Sequence, residues 1–309
     1  MKKQIAVILG PTATGKSHCG IALAQALDGE IISGDSMLVY RGMDIGTAKP
    51  TAEELALVPH HMVDILPPEA SFNVVDFKER AERLIDEITA RGKLPIIVGG
   101  TGLYIKALLE DYKFSSQGED SALRAELEAF LAEQGKEALY ARLVKSAPAE
   151  AGKIDINNTR RVIRAIEAAE SGDDLSHSKS EELVYDAAVF GLRMERSVLY
   201  ERINRRVDIM LEQGLIEETR RLLEEGVPEM AQSMQAIGYR QTVLYLKGEW
   251  DKAAAVDKIK QATRNFAKRQ FTWYKKMPYV KWFNLDAEPN YENVTSEMIK
   301  TVVEKFKIG

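Results

Sequence analysis

The sequence predicts an α/β protein with a parallel sheet flanked by helices and with an added α-helical insertion domain. Short apolar strands alternate with helical stretches over residues 1–110, which is typical of a parallel sheet. Residues 119–183 carry helical periodicity only, and a further strand is predicted at 187–192. We therefore expect a core formed by residues 1–112 and 185–309, interrupted by an insertion at 113–184.

A glycine-rich loop follows the first predicted strand, residues 4–9, and precedes a helix predicted over 17–27. Its spacing fits G-x-x-x-x-G-K-[ST], and its residues are Gly10, Pro11, Thr12, Ala13, Thr14, Gly15, Lys16 and Ser17. Such a loop points successive N–H groups and a helix N-terminus at an anion. Lys16 would reach the terminal phosphates and the Ser17 hydroxyl a Mg²⁺ ion. The loop indicates a P-loop NTPase-like core, and ATP, GTP and a simple diphosphate ester would all suit it.

Ligands in a parallel sheet collect at the carboxyl ends of the strands, so the residues after each strand are candidate site residues. Asp35 follows the second predicted strand, 30–33, and could act as a general base or as a group near Mg²⁺. A helix N-cap or an Asx-turn is the alternative. The next strand, 94–98, is followed by Gly and Thr101 with no acidic residue. That absence argues against a motor or switch ATPase and favours a small-molecule kinase or another phosphate-ester transferase.

Two further stretches lie between these strands. Gly and Pro predict surface turns at residues 45–50. His60, His61 and Asp64 contain metal-ligating side chains, but adjacent strand residues point to opposite faces and no second cluster follows. A metal site is therefore not expected there.

Composition narrows the class of protein. The 309 residues include one cysteine, Cys19, which excludes an internal disulfide and a Cys-rich zinc site and suits a reducing cytosol. Met1-Lys2-Lys3 runs directly into the first strand, and no apolar run approaches membrane-spanning length. We expect a cytoplasmic protein with no membrane association. The net charge of -5 argues against a nucleic-acid partner unless the chain has a local basic face.

Basic residues on predicted helices supply candidates for such a face. Arg160, Arg161 and Arg164 cluster in the insertion, before a loop predicted at 171–176, and a solvated face is the alternative reading. On the helix after the strand at 187–192, Arg202 and Arg206 share one stripe. They would clamp a diphosphate, with plain surface charge as the alternative.

Residues 258–276 show the clearest charge pattern. One stripe of this helix carries basic residues with an aromatic ring among them: Lys260, Arg264, Lys268, Phe271 and Lys275. The opposite side carries Ile259, Ala262, Phe266 and Trp273. Basic residues with an interleaved stacking ring are typical of a nucleic-acid surface, and a solvated helix is the alternative.

Taken in order, these and neighbouring segments resemble the bacterial tRNA dimethylallyltransferases, also called tRNA isopentenyltransferases. The segments are GPTATGKS, ISGDSMLVYRGMDIGTAKP, PHHMVDI, VGGTGLYI, NNTRRVIRAIE, GYRQ and ATRNFAKRQFTWY. The resemblance runs nearly end to end. It implies a P-loop α/β core with a helical insertion. It also implies transfer of a dimethylallyl group from dimethylallyl diphosphate to the exocyclic amine of adenine 37, beside the tRNA anticodon.

The resemblance also implies roles for individual residues. Asp35 matches the family's catalytic aspartate, Ser36, Met37 and Leu38 match a tRNA-contacting segment, and Thr101 matches a threonine near the target base. The stretch matching a tRNA contact in the insertion consists of Thr159, Arg160, Arg161, Val162 and Ile163. The family commonly has Gln-Arg at its first two positions, so Thr159 departs from the pattern. The chain has no counterpart of the Cys/His zinc finger of eukaryotic members and looks like the bacterial form.

This chemistry agrees with the residues present. The loop N–H groups, Lys16, Mg²⁺ and Arg202 or Arg206 would stabilise the departing diphosphate, and Asp35 would take the amine proton from a flipped-out base. We expect a monomer that binds the anticodon stem-loop of tRNA. Two enzymes remain as alternatives: a small-molecule kinase, and an adenylate isopentenyltransferase acting on AMP or ADP. A binding module or structural ATPase would have no use for Asp35 and Thr101.

Overall fold

A computed structural model describes residues 2–113, 121–171 and 182–308. The chain divides into two compact units. The first consists of Met1–Asp111 and Glu181–Gly309, and the second of Tyr112–Ser180. Of the loop predicted at 171–176, residues 172–176 lie outside the described residues.

The first unit is built on a six-stranded sheet in the order β3-β2-β4-β1-β5-β6, and every strand pairing in it is parallel. The strands are β1 Gln4–Leu9, β2 Gly29–Ser33, β3 His60–His61, β4 Leu94–Gly99, β5 Asp186–Met194 and β6 Lys281–Leu285. The predicted parallel α/β fold is confirmed. Leu9 of β1 aligns with Gly99 of β4, and Ser33 of β2 aligns with Val98 of β4. The loops that follow these three strands therefore emerge side by side at one edge.

The central strands are apolar because helices cover both faces of the sheet. Five of the six residues of β1 are buried, as are all six of β4. The prediction missed β3 and β6, which form the two edges. β3 has two residues and is too short to produce a periodic pattern. β6 is longer, but its residues alternate between exposed and buried only towards its end.

Helices connect and flank the strands of this unit. They are α1 Lys16–Ala26, α2 Ala52–Leu57, α3 Val74–Ala90, α4 Gly102–Leu109, α8 Arg196–Glu212, α9 Leu215–Glu224, α10 Tyr239–Leu246, α11 Lys252–Tyr274 and α12 Tyr291–Phe306. α3 begins at a capping box: the Asn73 side chain accepts hydrogen bonds from the amides of Val75 and Asp76, and the Asp76 carboxylate accepts one from the Asn73 amide.

The second unit contains α5 Ser121–Ser146, α6 Pro148–Ala151 and α7 Thr159–Ser171. α5 is kinked at Gly135, where φ is 81°. The small hydrophobic core of the second unit includes Leu127, Leu139, Leu143 and Ile166. The described part of this unit is entirely helical in its regular structure.

None of the helices in the described ranges combines the length and hydrophobicity that a bilayer crossing requires.

Candidate active site

The glycine-rich loop joins β1 to α1 in a conformation that its neighbours enforce. Gly15 is the N-cap of α1 with φ 82°, and a Cβ there would lie 2.5 Å from ring atoms of Tyr291. Ala13 has a φ of 66°, which is strained for a residue other than glycine. Gly15 is therefore required twice over, by backbone angle and by close approach.

Hydrogen bonds to its own carbonyl groups fix the conformation of the loop. The Thr14 hydroxyl donates to the Pro11 carbonyl at 2.8 Å, and Nε of Arg202 donates to the Ala13 carbonyl at 3.1 Å. The Tyr291 hydroxyl donates to the Thr14 carbonyl at 3.3 Å. The N–H and C=O of a planar peptide point in opposite directions, so engaging the Ala13 and Thr14 carbonyls leaves the Thr14 and Gly15 amides directed away from them, as an anion cradle needs.

Two partly buried cations, Lys16 and Arg206, share the cavity beside the loop with the carboxylates of Asp35 and Glu54. Burial, reinforced by the nearby Arg206 guanidinium and opposed by Asp35, lowers the pKa of Lys16 to about 8. Burial also lowers the pKa of Arg206, and Asp35 again acts in the opposite direction. Nζ of Lys16 donates to the Pro11 carbonyl at 2.8 Å. The excess of positive charge matches a polyanion such as a diphosphate.

These groups line a cavity of about 650 Å³. Its polar part includes Thr12, Ala13, Gly15, Lys16, Ser17, Asp35 and Arg206. Its apolar part comes mainly from α8 and α11 and includes Ile203, Val207, Met210, Ile259 and Phe266. The volume and the mixture suit a small molecule with an anionic end and an apolar end.

Asp35 forms a turn and also faces the cavity. Its Oδ1 accepts a hydrogen bond from the Met37 amide at 2.8 Å, as the Asx-turn alternative predicts. Ser36, Met37 and Leu38 line the cavity with it. The Thr101 hydroxyl accepts a hydrogen bond from the Ser36 amide at 3.2 Å, so Thr101 supports this turn from behind. The two alternatives for Asp35 are thus compatible.

The two arginines of α8 separate in position. Arg206 lines the cavity, whereas Arg202 does not; besides its bond to Ala13 it donates to the Tyr291 hydroxyl at 3.2 Å. Of the two predicted clamps, Arg206 is the one placed for direct contact with a bound anion. Arg202 instead braces the loop.

The predicted basic face of α11 is only partly a free surface. Lys260 forms an ion pair with Asp208 at 2.6 Å, and Arg264 donates to Asn204 at 2.6 Å, so both are engaged by α8. The Phe271 ring is partly buried against the core and stacks on the Trp282 ring. Lys268 and Lys275 remain exposed. Partners on another helix cannot be read from the periodicity of α11 itself.

The predicted tRNA stretch of α7 needs a similar correction. Val162 and Ile163 are 1% and 4% exposed and belong to the core of the second unit, so they offer no surface to RNA. Thr159 is half-buried, and Arg160, Arg161 and Arg164 are exposed. Among the ion pairs of the described residues, none involves these three arginines.

The segment 45–50 was predicted to be a surface turn; residues 45–48 form turns, and Gly46, Thr47, Ala48 and Pro50 also line the cavity. Buried Glu218 of α9 holds it, accepting hydrogen bonds from the amides of Asp44, Ile45 and Gly46 at 2.8, 3.0 and 3.2 Å. The Tyr239 hydroxyl donates to the same carboxylate at 2.6 Å. The sequence analysis missed Glu218 and Tyr239. A lone acidic residue in a helix, such as Glu218, belongs to no motif or periodic pattern that would single it out.

No cluster of three or more His, Cys, Asp or Glu side chains arranged to hold a metal ion occurs in the part of the chain that the structure describes. His61 instead contacts the Glu30 carboxylate at 2.7 Å, and Arg91 pairs with the same group.

A P-loop α/β fold whose phosphate loop opens onto a cavity with the Asp35 carboxylate and an apolar wall is typical of a transferase that acts on a phosphate ester. Residues 38–277 match the family model described as IPP transferase. The chain belongs to the IPP transferase family.

Relatives along the whole chain support this assignment. The chain is 47% identical over 310 residues to the tRNA dimethylallyltransferase of Exiguobacterium sp., covering 99% of both chains. It is 46% identical over 312 residues to that of Geobacillus kaustophilus, covering 100% of this chain and 99% of the other.

Solved structures agree. The tRNA isopentenylpyrophosphate transferase of Bacillus halodurans has a TM-score of 0.74 and 44% identity, covering 99% of both chains. A eukaryotic dimethylallyltransferase acting on tRNA has a TM-score of 0.76 at 27% identity, covering 97% of this chain and 78% of that one.

Proposed function

We propose that this chain transfers a dimethylallyl group from dimethylallyl diphosphate to the exocyclic N6 amine of adenine 37 of tRNA and releases diphosphate. One observation carries the proposal: a single cavity brings a cationic phosphate loop with Lys16 and Arg206 next to Asp35 and an apolar wall. Relatives that bear the corresponding name match 99% or more of the chain.

The donor's diphosphate would occupy the loop between β1 and α1. Its negative charge grows as the carbon–oxygen bond breaks, so preformed N–H groups, Lys16 and Arg206 stabilise the transition state more than the ground state. The five-carbon group is apolar and suits the wall formed by α8 and α11.

A Mg²⁺ ion fits the donor set at this loop. Mg²⁺ takes oxygen ligands and is commonly bound by one or two protein groups together with substrate phosphates and water. Ser17 supplies a hydroxyl at the cavity, directly after Lys16. When bound there, the ion would neutralise charge on the leaving diphosphate.

The acceptor amine attacks the allylic carbon, the carbon–oxygen bond breaks, and the diphosphate departs with the bonding electrons. The amine then carries an extra proton, and Asp35 accepts it. Its Oδ1 already holds the Met37 amide, so the carboxylate is oriented before the base arrives. The adenine must leave its stack to reach this point.

Exposed cations supply contacts to the tRNA backbone. On α7 these are Arg160, Arg161 and Arg164, with Thr159 beside them, and on α11 they are Lys268 and Lys275. Unpaired exposed arginines bind phosphate through bidentate hydrogen bonds and release counterions. We retain residues 113–184 as a tRNA-contacting domain on this ground, and a monomer as the working state.

One assay tests the proposal. The protein is incubated with labelled dimethylallyl diphosphate and Mg²⁺, together with bulk tRNA, AMP, or ATP plus small acceptors. We expect label on tRNA only, located by nuclease digestion at N6 of adenine 37. Label on AMP would favour an adenylate isopentenyltransferase. Phosphate transfer from ATP without prenyl transfer would favour a kinase.

A further inference from the structure

Two loops at the same edge of the sheet carry the two halves of the proposed reaction. The loop after β1 receives the diphosphate. Gly100 and Thr101, directly after β4, support the Asp35 turn, because the Thr101 hydroxyl accepts a hydrogen bond from the Ser36 amide. The line from the attacking amine to the leaving oxygen therefore depends on how these loops are held relative to each other.

A single side chain from α11 binds both loops. Gln270 is 4% exposed. Its Oε1 accepts a hydrogen bond from the Thr12 amide at 3.1 Å, and its Nε2 donates to the Gly100 carbonyl at 2.8 Å. The approach is close, since a Cβ on Gly100 would lie 2.5 Å from Nε2.

Tyr274, one helical turn further along α11, repeats this connection. Its buried hydroxyl lies 2.7 Å from the Gly100 carbonyl and 3.2 Å from the Gly10 carbonyl, and the two carbonyls share its proton. Gln270 and Tyr274 thus both join the phosphate loop to the segment after β4.

The chemistry of the bridge requires an amide. The side chain must accept from an N–H on one side and donate to a carbonyl on the other, and glutamine does both with one rigid group. An ionised carboxylate of the same shape would place a second acceptor against the Gly100 carbonyl. A thioether of similar length would leave the Thr12 amide without this acceptor and the Gly100 carbonyl with the Tyr274 hydroxyl alone.

We infer that Gln270, assisted by Tyr274, is a positioning residue that sets the phosphate loop against the Thr101 segment and so aligns the leaving diphosphate with the attacking amine. The inference rests on the proposed prenyl transfer. Gln270 lines the cavity, but its Oε1 and its Nε2 both bind backbone groups of the two loops. We therefore expect its effect on alignment during the chemical step and not on donor binding.

The first test replaces Gln270 by methionine, which preserves length and removes both hydrogen bonds. Misalignment of reacting groups by about 1 Å costs on the order of a hundredfold in rate. We expect the single-turnover rate at saturating dimethylallyl diphosphate and tRNA to fall about 30- to 100-fold. The dissociation constants of both substrates should change by less than about threefold. Gln261→Met, at an exposed position of the same helix, is the matched control.

The second test uses pH. Gln270→Glu should be slow at neutral pH, whereas a protonated carboxyl group can again accept from Thr12 and donate to Gly100. The ratio of its rate to the wild-type rate should therefore rise as the pH is lowered, while the ratio for Gln270→Met stays flat. Tyr274→Phe should lose about five- to tenfold in rate, with Tyr245→Phe as its control.

The outcomes separate this inference from the proposed function. Wild-type transfer to tRNA in the same assay tests the function alone. A wild-type rate for Gln270→Met, a loss confined to donor affinity, or a flat pH ratio for Gln270→Glu would overturn the positioning role. If Gln270→Met fails to unfold cooperatively, the Gln270→Glu ratio and the Tyr274→Phe rate decide.

Discussion

Replacing Lys16 by methionine is expected to stabilise the ligand-free protein while it removes most activity. Burial and the neighbouring Arg206 lower the pKa of Lys16 to about 8 from 10.5. The difference of about 2.5 pH units corresponds to about 3 kcal/mol at 1.36 kcal/mol per unit. Methionine also removes one of the two hydrogen bonds to the Pro11 carbonyl and leaves the one from the Thr14 hydroxyl, which costs about 1 kcal/mol. The net expectation is a gain of about 2 kcal/mol in the free energy of unfolding at pH 7.

The sign of the pH dependence follows from the lower pKa in the folded state. Between pH 8 and 10.5 the unfolded chain binds more protons at Lys16, so the penalty is fully present below pH 8 and fades as the pH rises to 10.5. The advantage of Lys16→Met should shrink over the same interval. The proposed function places a diphosphate with Mg²⁺ at this loop, so inorganic diphosphate with Mg²⁺ should stabilise the wild type and not the variant.

Urea unfolding at several pH values measures the difference in the free energy of unfolding between Lys16→Met and the wild type. In thermal unfolding at pH 7, the melting temperature of the variant should be about 4 °C higher. Lys49→Met is the matched control. Lys49 is also buried, with its side chain 4% exposed, but it forms ion pairs with Asp44 and Asp64. Removing it leaves carboxylates without their partner and should destabilise the protein. A Lys16→Met variant less stable than wild type at pH 7, or a pH-independent difference, would refute the reasoning.

Three further predictions concern the cavity and the tRNA surface. Arg206→Gln should raise the KM for dimethylallyl diphosphate about 10- to 100-fold, since charged hydrogen bonds contribute about 1.5–3 kcal/mol, and leave tRNA affinity unchanged in filter binding. Glu218→Gln should lower the free energy of unfolding in urea by about 2 kcal/mol, because three amides and a buried tyrosine lose their carboxylate. An unchanged free energy of unfolding would contradict the role of Glu218 in holding residues 44–46. Replacing Arg160, Arg161 and Arg164 together by Gln should weaken tRNA binding and reduce the salt slope by about 2, with an unaltered slope returning them to solvated surface.

The sheet and the phosphate loop were predictable because their causes are local. β1 and β4 are buried on both faces, so their apolar runs stand out, and the loop needs glycine, lysine and serine at fixed spacing. β3, with two residues, was beyond any periodicity argument.

The rest of the site depends on contacts that are distant in sequence. Glu218 binds the amide of Asp44, 174 positions away, and Gln270 binds that of Thr12, 258 positions away. Both partners are backbone groups, which leave no mark in the sequence. The basic stripe of α11 also has partners that are distant in sequence. The side chains that pair with Lys260 and Arg264 belong to α8, so the periodicity of α11 alone does not show that these two cations are engaged.

The single-turnover rate of Asp35→Asn tests the central claim most directly, namely that Asp35 takes the amine proton while the neighbouring loop receives the diphosphate. Asparagine keeps an oxygen that can accept from the Met37 amide, so the turn should survive while basicity is lost. The rate of prenyl transfer should fall about a hundredfold to ten-thousandfold, and tRNA affinity should hold within a few-fold. An unchanged rate would remove Asp35 as the base, and a collapse of tRNA binding would mean that its carboxylate serves recognition instead.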